Sequence, residues 1–152
     1  MHATVRSVIE VASGAHDDFC ILDTEASPEH LSRGTAQYAD ALLLVVEPYF
    51  KSLETGRRMA ALGKDLGLEH VALIANKMRD ERDLEAVTEF AESHGLEVGG
   101  IIPFDEAMPG AERAGSSPLD FAPDGLAVAA IERIARGLVD GSVAGNGATT
   151  RV

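Results

Sequence analysis

The chain contains four short apolar runs in which polar and apolar residues do not alternate. A strand that faces water on one side alternates between polar and apolar residues, whereas a strand covered on both faces is apolar throughout. Unbroken runs of strand length therefore predict a parallel sheet with helices on both faces. We expect parallel strands near residues 19–23, 41–46, 70–75 and 97–102.

Segments with helical spacing of apolar residues separate these runs. They lie near residues 52–66, 81–94 and 123–139, and similar spacing favours another helix before the first strand. Ser52 is a candidate N-cap of the first segment, and Asp80 or a neighbour is one for the second. Gly67 and Gly95 stand where these two helices should end, and Pro123 is placed for the first turn of the third.

The alternation of strands and helices predicts an α/β fold with an open, mainly parallel, doubly wound sheet. Residues 1–139 are expected to form one domain, and residues 140–152 to form a disordered tail, because the tail lacks apolar spacing. The inward face of the last helix should carry Leu126, Ala130, Ile131, Ile134 and Leu138.

The composition limits the classes of function. A formal net charge of −12 argues against nucleic acid and anionic membrane surfaces, because both need clusters of Lys and Arg. No apolar run reaches the length of about 18 residues typical of a membrane-spanning helix. The single cysteine, Cys20, excludes an internal disulfide and suits a reducing cytoplasm. Hydrolase motifs such as Gly-x-Ser-x-Gly and HExxH are absent from the sequence.

Polar residues follow the predicted strands, and ligands of open α/β sheets bind at the carboxyl ends of strands. These residues are Asp23, Thr24 and Glu25 after the first run, Glu47 and Pro48 after the second, Asn76 and Lys77 after the third, and Pro103, Phe104 and Asp105 after the fourth. An Asp here either holds a metal-bound water or caps the next helix. Asn76 has both the donor and the acceptor that recognition of a planar base needs. Pro103 and Phe104 either form the wall of a base pocket or turn the chain.

Four longer segments, taken in order, resemble a known protein family. The segments are ILDTEASPEHLSRGT, ADALLLVVEPYFKSLETGRRMAALGKDLGL, HVALIANKMRD and GLEVGGIIPFDEAM. They are similar to parts of the MinD/ParA-type (SIMIBI) P-loop ATPases, and most similar to the nickel-insertion ATPases that mature carbon monoxide dehydrogenase. The resemblance covers roughly residues 2–139. Its order and spacing are more specific than any single motif.

The resemblance implies a site for ATP and Mg²⁺. Asp23 would hold the water shell of Mg²⁺, and residues 24–34 would form the switch II loop that senses the γ-phosphate. Asn76 would recognise the edge of the adenine, and Pro103 with Phe104 would flank the base. The residues implied to bind the cofactor are Asp23, Glu25, Asn76, Lys77, Pro103 and Phe104, with Asp23 also assigned to the metal. No catalytic residue is assigned.

Two departures from the family pattern determine the expected activity. The sequence has no G-x-x-x-x-G-K-[ST] loop, with which the family holds the phosphates. Ser27 and Pro28 also stand where the family usually has Gly, which lets the backbone approach the γ-phosphate. We therefore expect the C-terminal half of such an ATPase, cytoplasmic and unable to hydrolyse ATP alone.

The resemblance also implies partners. The expected partner is either a second copy in a homodimer or another chain that supplies the phosphate-binding half, and a metalloenzyme would be the client. The main alternative is a non-catalytic interaction or dimerisation module that keeps the fold. A flavodoxin-like domain is a third possibility, disfavoured because no acidic pair or Gly-rich phosphate loop follows the first predicted strand.

Overall fold

The computed structural model of the 152-residue chain describes residues 20–24 and 39–141. These residues form three strands and five helices. In chain order they are β1 (Ala41–Val46), α1 (Phe50–Asp65), β2 (His70–Met78), α2 (Glu81–Ser93), β3 (Glu97–Pro103), α3 (Ala107–Ala114), α4 (Pro118–Phe121) and α5 (Leu126–Val139). The predicted helix before the first strand and most of the predicted tail lie outside the described residues.

The three strands form one parallel sheet in the order β1-β2-β3. β1 pairs with β2 without interruption, from Ala41 opposite His70 to Val46 opposite Ala75. Helical crossovers between neighbouring strands require parallel pairing, so the predicted strands near 41–46, 70–75 and 97–102 are confirmed. The register between β2 and β3 is irregular in two places, one of them between Asn76 and Met78.

The first predicted strand, near residues 19–23, is not present in residues 20–24. These residues have no strand assignment, and Ile21 and Leu22 are 89% and 43% exposed. A strand needs a neighbour whose N–H and C=O groups pair with its own, and in the described part of the chain the sheet consists of β1, β2 and β3 alone. Apolar composition without such a neighbour does not make a strand, so this prediction was wrong for 20–24.

Helices cover both faces of the sheet, as the apolar runs predict. On one face Leu44, Val46, Leu73 and Ala75 pack with residues of α1 and α2 in a single core. Successive residues of a strand point to opposite faces. Ile74 therefore faces the other side, where it is 3% exposed and lies beside Gly100. Helix α5 packs on that side against β3.

The ends of α1 and α2 follow local backbone chemistry. The N-cap of α1 is Tyr49, whose side chain makes no capping hydrogen bond. The predicted N-cap Ser52 instead lies inside the helix, and its Oγ accepts the backbone N–H of Glu47 at 2.9 Å. That prediction was wrong because the hydroxyl binds the end of β1 rather than its own helix. Gly67, with φ +86, follows the end of α1 as predicted.

The last helix begins later than predicted. Its N-cap is Gly125, so Pro123 lies before the helix and not in its first turn. Small residues form its buried face, which includes Ala127, Val128 and Ala130. Leu126 and Ile131, predicted to face inward, are 67% and 49% exposed. Ile134, also predicted to face inward, does lie against Gly100 of β3, where the missing Cβ leaves room for its side chain. None of the helices in the described ranges is long and apolar enough to cross a membrane.

Candidate functional site

The carboxyl ends of β2 and β3 lie side by side. Asn76 is paired with Ile102, and Met78 is paired with Pro103. The backbone N–H of Phe104 then donates to the carbonyl of Met78 at 2.8 Å. The predicted base-site residues Asn76, Pro103 and Phe104 are therefore brought together at one edge of the sheet.

The side chain of Asn76 is half-buried and forms no hydrogen bond with any residue that the structure describes. It does not cap the following helix. The N-cap of α2 is Asp80, whose carboxylate accepts the backbone N–H of Asp83 at 3.0 Å. With its amide unpaired among these residues, Asn76 keeps a donor pair and an acceptor for a ligand.

One face of the Phe104 ring is covered by Arg79. The guanidinium carbon lies 4.8 Å from the ring centroid, within the range of a cation–π contact. The backbone N–H of Arg79 donates to Asp83 Oδ2 at 3.0 Å. Arg79 was not predicted as a site residue. Its position directly after β2 was the available signal, but its contact with Phe104 depends on the register of β2 and β3.

Asp105 fixes the segment that carries Phe104. Its carboxylate accepts the backbone N–H of Ala107 at 2.9 Å and that of Ala127 at 3.1 Å. The first contact lies at the start of α3 and the second at the start of α5. These hydrogen bonds from backbone N–H groups lower the pKa of Asp105, with the Ala107 bond the largest cause. One carboxylate thus ties the end of β3 to two helices.

An irregularity in β2 places the side chain of Lys77 toward the end of β1. It is skipped in the pairing between Asn76 and Met78, and it has φ +61, which a residue with a side chain adopts only at a cost. Its Nζ lies 2.8 Å from Glu47 Oε1 at the end of β1. The predicted ligand-binding residue Lys77 therefore pairs with Glu47, and joins the carboxyl ends of two strands.

A cavity of about 240 Å³ opens beside this ion pair. It is lined by Glu47, Pro48, Tyr49, Lys77, Arg79 and Asp83. Arg79 borders both this cavity and the ring of Phe104. A larger depression of about 440 Å³ lies along the C-terminal half of α5, from Glu132 to Asp140. It has no connection to the strand ends, where sheet proteins of this class bind ligands, so we place the candidate site at the carboxyl edge.

The chain is similar in sequence to two curated proteins. It is 35% identical over 122 residues to the carbon monoxide dehydrogenase accessory protein CooC of Rhodospirillum rubrum, covering 80% of this chain and 46% of that protein. It is 41% identical over 119 residues to an ATP-binding protein of Methanocaldococcus jannaschii, covering 78% of this chain and 45% of that protein. No protein-family model matches the chain.

The fold is similar to solved structures of ATPases. The ParA family ATPase of Chlorobium tepidum superimposes with a TM-score of 0.75 at 26% identity, over 91% of this chain and 57% of that one. The chain is thus related in sequence to CooC and similar in fold to the MinD/ParA-type P-loop ATPases. This confirms the resemblance and the fold class expected from the sequence.

The chain spans about half the length of the curated relatives it matches. Among the described residues, no three His, Cys, Asp or Glu side chains are grouped so that they could hold a metal ion. Asp23 is exposed, and Glu25 lies outside the described residues.

Proposed function

We propose that this chain is the base-binding part of an ATPase that resembles the nickel-insertion accessory ATPase of carbon monoxide dehydrogenase. The observation that carries the proposal is the unpaired amide of Asn76 beside Phe104 at the carboxyl edge of the sheet. An amide recognises the edge of a planar base, and an aromatic ring stacks on its face. The identity of 35% to CooC supports the assignment to metalloenzyme maturation.

In this proposal each strand end has a role in binding the base. Asn76 forms hydrogen bonds with the adenine edge, and Pro103 and Phe104 form one wall of its pocket. Asp105 holds that wall in place through α3 and α5. Lys77, paired with Glu47, borders the pocket on the side of β1.

The phosphates need groups that this sequence does not contain. Phosphoryl transfer requires Mg²⁺, a Lys and backbone N–H donors around the γ-phosphoryl group. The 152 residues include no G-x-x-x-x-G-K-[ST] loop. Only Asp23 is assigned to Mg²⁺, and Glu25, two residues later, is assigned to the nucleotide. We propose that the 152-residue chain, in the cytoplasm, is inactive alone. It forms a homodimer or associates with a separate chain, and only the separate chain could supply the phosphate-binding half. Bound ATP would drive delivery of a metal to a client enzyme.

A specific observation favours a second function, a non-catalytic interaction module. Large apolar side chains are exposed on β1 and shortly after it: Val45 is 63% exposed and Phe50 is 73% exposed. Only one edge of β1 is paired within the described residues, and an open apolar edge favours association with another chain. The two functions differ in one measurable property, which is binding of a nucleobase.

Titration of the ¹⁵N-labelled chain with adenosine, followed by NMR, tests the proposal. Adenosine carries the base without phosphates, so the missing phosphate loop does not affect the result. We expect chemical shift changes at Asn76 and Phe104, and weaker binding by Asn76→Ala. Asn76→Asp keeps the shape but replaces the NH₂ donors with oxygen, and should also bind more weakly. Equal affinity in all three chains would contradict the base site and favour the interaction module.

A further inference from the structure

We propose that Arg79 controls access to the base site by competing with the nucleobase for the face of Phe104. This inference rests on the proposed function, since it concerns the same base. In the structure the guanidinium of Arg79 already occupies a position over the ring, 4.8 Å from its centroid. A planar base stacking on that face would need the same space. Arg79 and the base are then alternative occupants of one surface.

The backbone around this contact is held, so the side chain of Arg79 is the part that can move. The N–H of Phe104 donates to the carbonyl of Met78, the residue before Arg79, at 2.8 Å. The N–H of Arg79 itself donates to Asp83 Oδ2 at 3.0 Å. These two hydrogen bonds fix the main chains of Arg79 and Phe104 relative to each other. Opening the ring face therefore requires rotation of one side chain and no rearrangement of the sheet.

Little else holds the guanidinium over the ring. The residue is exposed, and within ranges 20–24 and 39–141 its guanidinium forms no ion pair or hydrogen bond. Of the carboxylates that follow it in sequence, Asp83 uses Oδ2 to accept the backbone N–H of Arg79, and Asp80 uses Oδ1 to accept the backbone N–H of Asp83. The ring of Phe104 is thus its one described side-chain partner. An exposed cation–π contact of this kind is weak enough for a ligand to displace.

Competition of this kind lowers the measured affinity for the base. When only a fraction of the molecules has the ring face free, the apparent Kd is the intrinsic Kd divided by that fraction. Removing the guanidinium makes every molecule competent. We expect Arg79→Ala to bind adenosine about two- to fivefold more tightly than the natural chain, which is the factor for loss of one exposed cation–π contact. Arg79 would then be a residue that sets affinity without contacting the bound base.

The experiment compares adenosine titrations of the full 152-residue natural chain, Arg79→Ala and Arg82→Ala by NMR. Arg82 is the matched control, because it is exposed on α2 and its removal changes the net charge equally. The ring protons of Phe104 report the contact itself. They should shift in ligand-free Arg79→Ala and stay unchanged in Arg82→Ala. Tighter binding should likewise appear in Arg79→Ala alone.

Each other result overturns the inference. Weaker binding by Arg79→Ala would mean that Arg79 contacts the bound base, and unchanged binding would mean that the two do not compete. Equal gains in both variants would mark a general effect of charge. Absence of adenosine binding in all three chains would contradict the proposed function, whereas normal binding without a gain in Arg79→Ala would contradict only the role of Arg79.

Discussion

The ammonium of Lys77 lies 2.8 Å from a carboxylate oxygen of Glu47, and the ion pair joins the carboxyl ends of β2 and β1. Lys77 reaches Glu47 from a backbone with φ +61, a conformation that a Cβ disfavours. Both groups are partly exposed, at 54% and 33%, so the pair itself contributes little to stability. The arrangement therefore positions two strand ends at the cost of local backbone strain.

This strain predicts that Gly is more stabilising than Ala at position 77, which is the reverse of their order inside a helix. Lys77→Gly and Lys77→Ala both remove the ammonium, but only Gly removes the Cβ. We expect Lys77→Gly to be about 1 kcal/mol more stable than Lys77→Ala, as measured by urea unfolding. At Glu85, inside α2, the same pair of substitutions should show the opposite order, since Gly costs about 1 kcal/mol relative to Ala in a helix. A less stable Gly variant at both positions would show that Lys77 is unstrained.

Gly100 predicts a steric coupling between β3 and α5. A Cβ at Gly100 would lie 2.6 Å from Cγ1 of Ile134 and 2.7 Å from its Cδ1. We expect Gly100→Ala to lower the free energy of unfolding by about 1–3 kcal/mol through overpacking. Adding Ile134→Ala removes both atoms and should make the combined loss smaller than the sum of the single losses by at least about 0.5 kcal/mol. Additive losses in urea unfolding would show that α5 moves away freely.

Much of the fold was predictable because its signals are local. The runs near 41–46, 70–75 and 97–102 are strands, and the burial of β2 on both faces appears in its composition, whereas Val45 of β1 and Ile101 of β3 stay 63% and 43% exposed. Helix α3 was not predicted; it carries Pro109 in its first turn, where Pro is tolerated. Residues 20–24 failed as a strand because pairing depends on a neighbour, which no apolar run can specify for itself.

The candidate site likewise has a part that was predictable from the sequence and a part that was not. Asn76 and Phe104 were predictable because they follow apolar runs and parallel strands bring their carboxyl ends together, although β2 continues through Asn76 to Met78. The contact of Arg79 with Phe104 and the ion pair of Lys77 with Glu47 were not. Both depend on the irregular register between Asn76 and Met78 and on backbone angles that sequence patterns do not report.

The carboxylate of Asp105 predicts a pH dependence of stability. Its pKa in the folded chain is below the usual range because the N–H groups of Ala107 and Ala127 bind the ionised form. A lowered folded pKa adds stability above the unfolded pKa of about 3.9, and this gain is lost as pH falls through the folded pKa. Asp105→Asn should therefore be less stable than the natural chain at pH 7, with a smaller difference at pH 3.

Urea unfolding of the two chains at both pH values measures that difference. Glu54 also contributes less to the stability of the fold in acid, because Arg57 and Arg58 lower its pKa to about 2. Its contribution cancels when the natural chain is compared with Asp105→Asn at the same pH. A difference that stays constant between pH 7 and pH 3 would show that Asp105 acts through its shape and not through its charge.

The sequence predicts that the isolated 152-residue chain does not hydrolyse ATP. Two of the groups that neutralise the γ-phosphoryl charge, namely a phosphate-loop Lys and its backbone N–H donors, have no source in the 152 residues, which contain no G-x-x-x-x-G-K-[ST] loop. Phosphate release should equal that of Asp23→Ala and of buffer. Turnover in the natural chain that disappears in Asp23→Ala would reveal a complete site. If a second chain carrying a G-x-x-x-x-G-K-[ST] loop is added, Asp23-dependent turnover should appear, unless Ser27 and Pro28 disable the loop that senses the γ-phosphate.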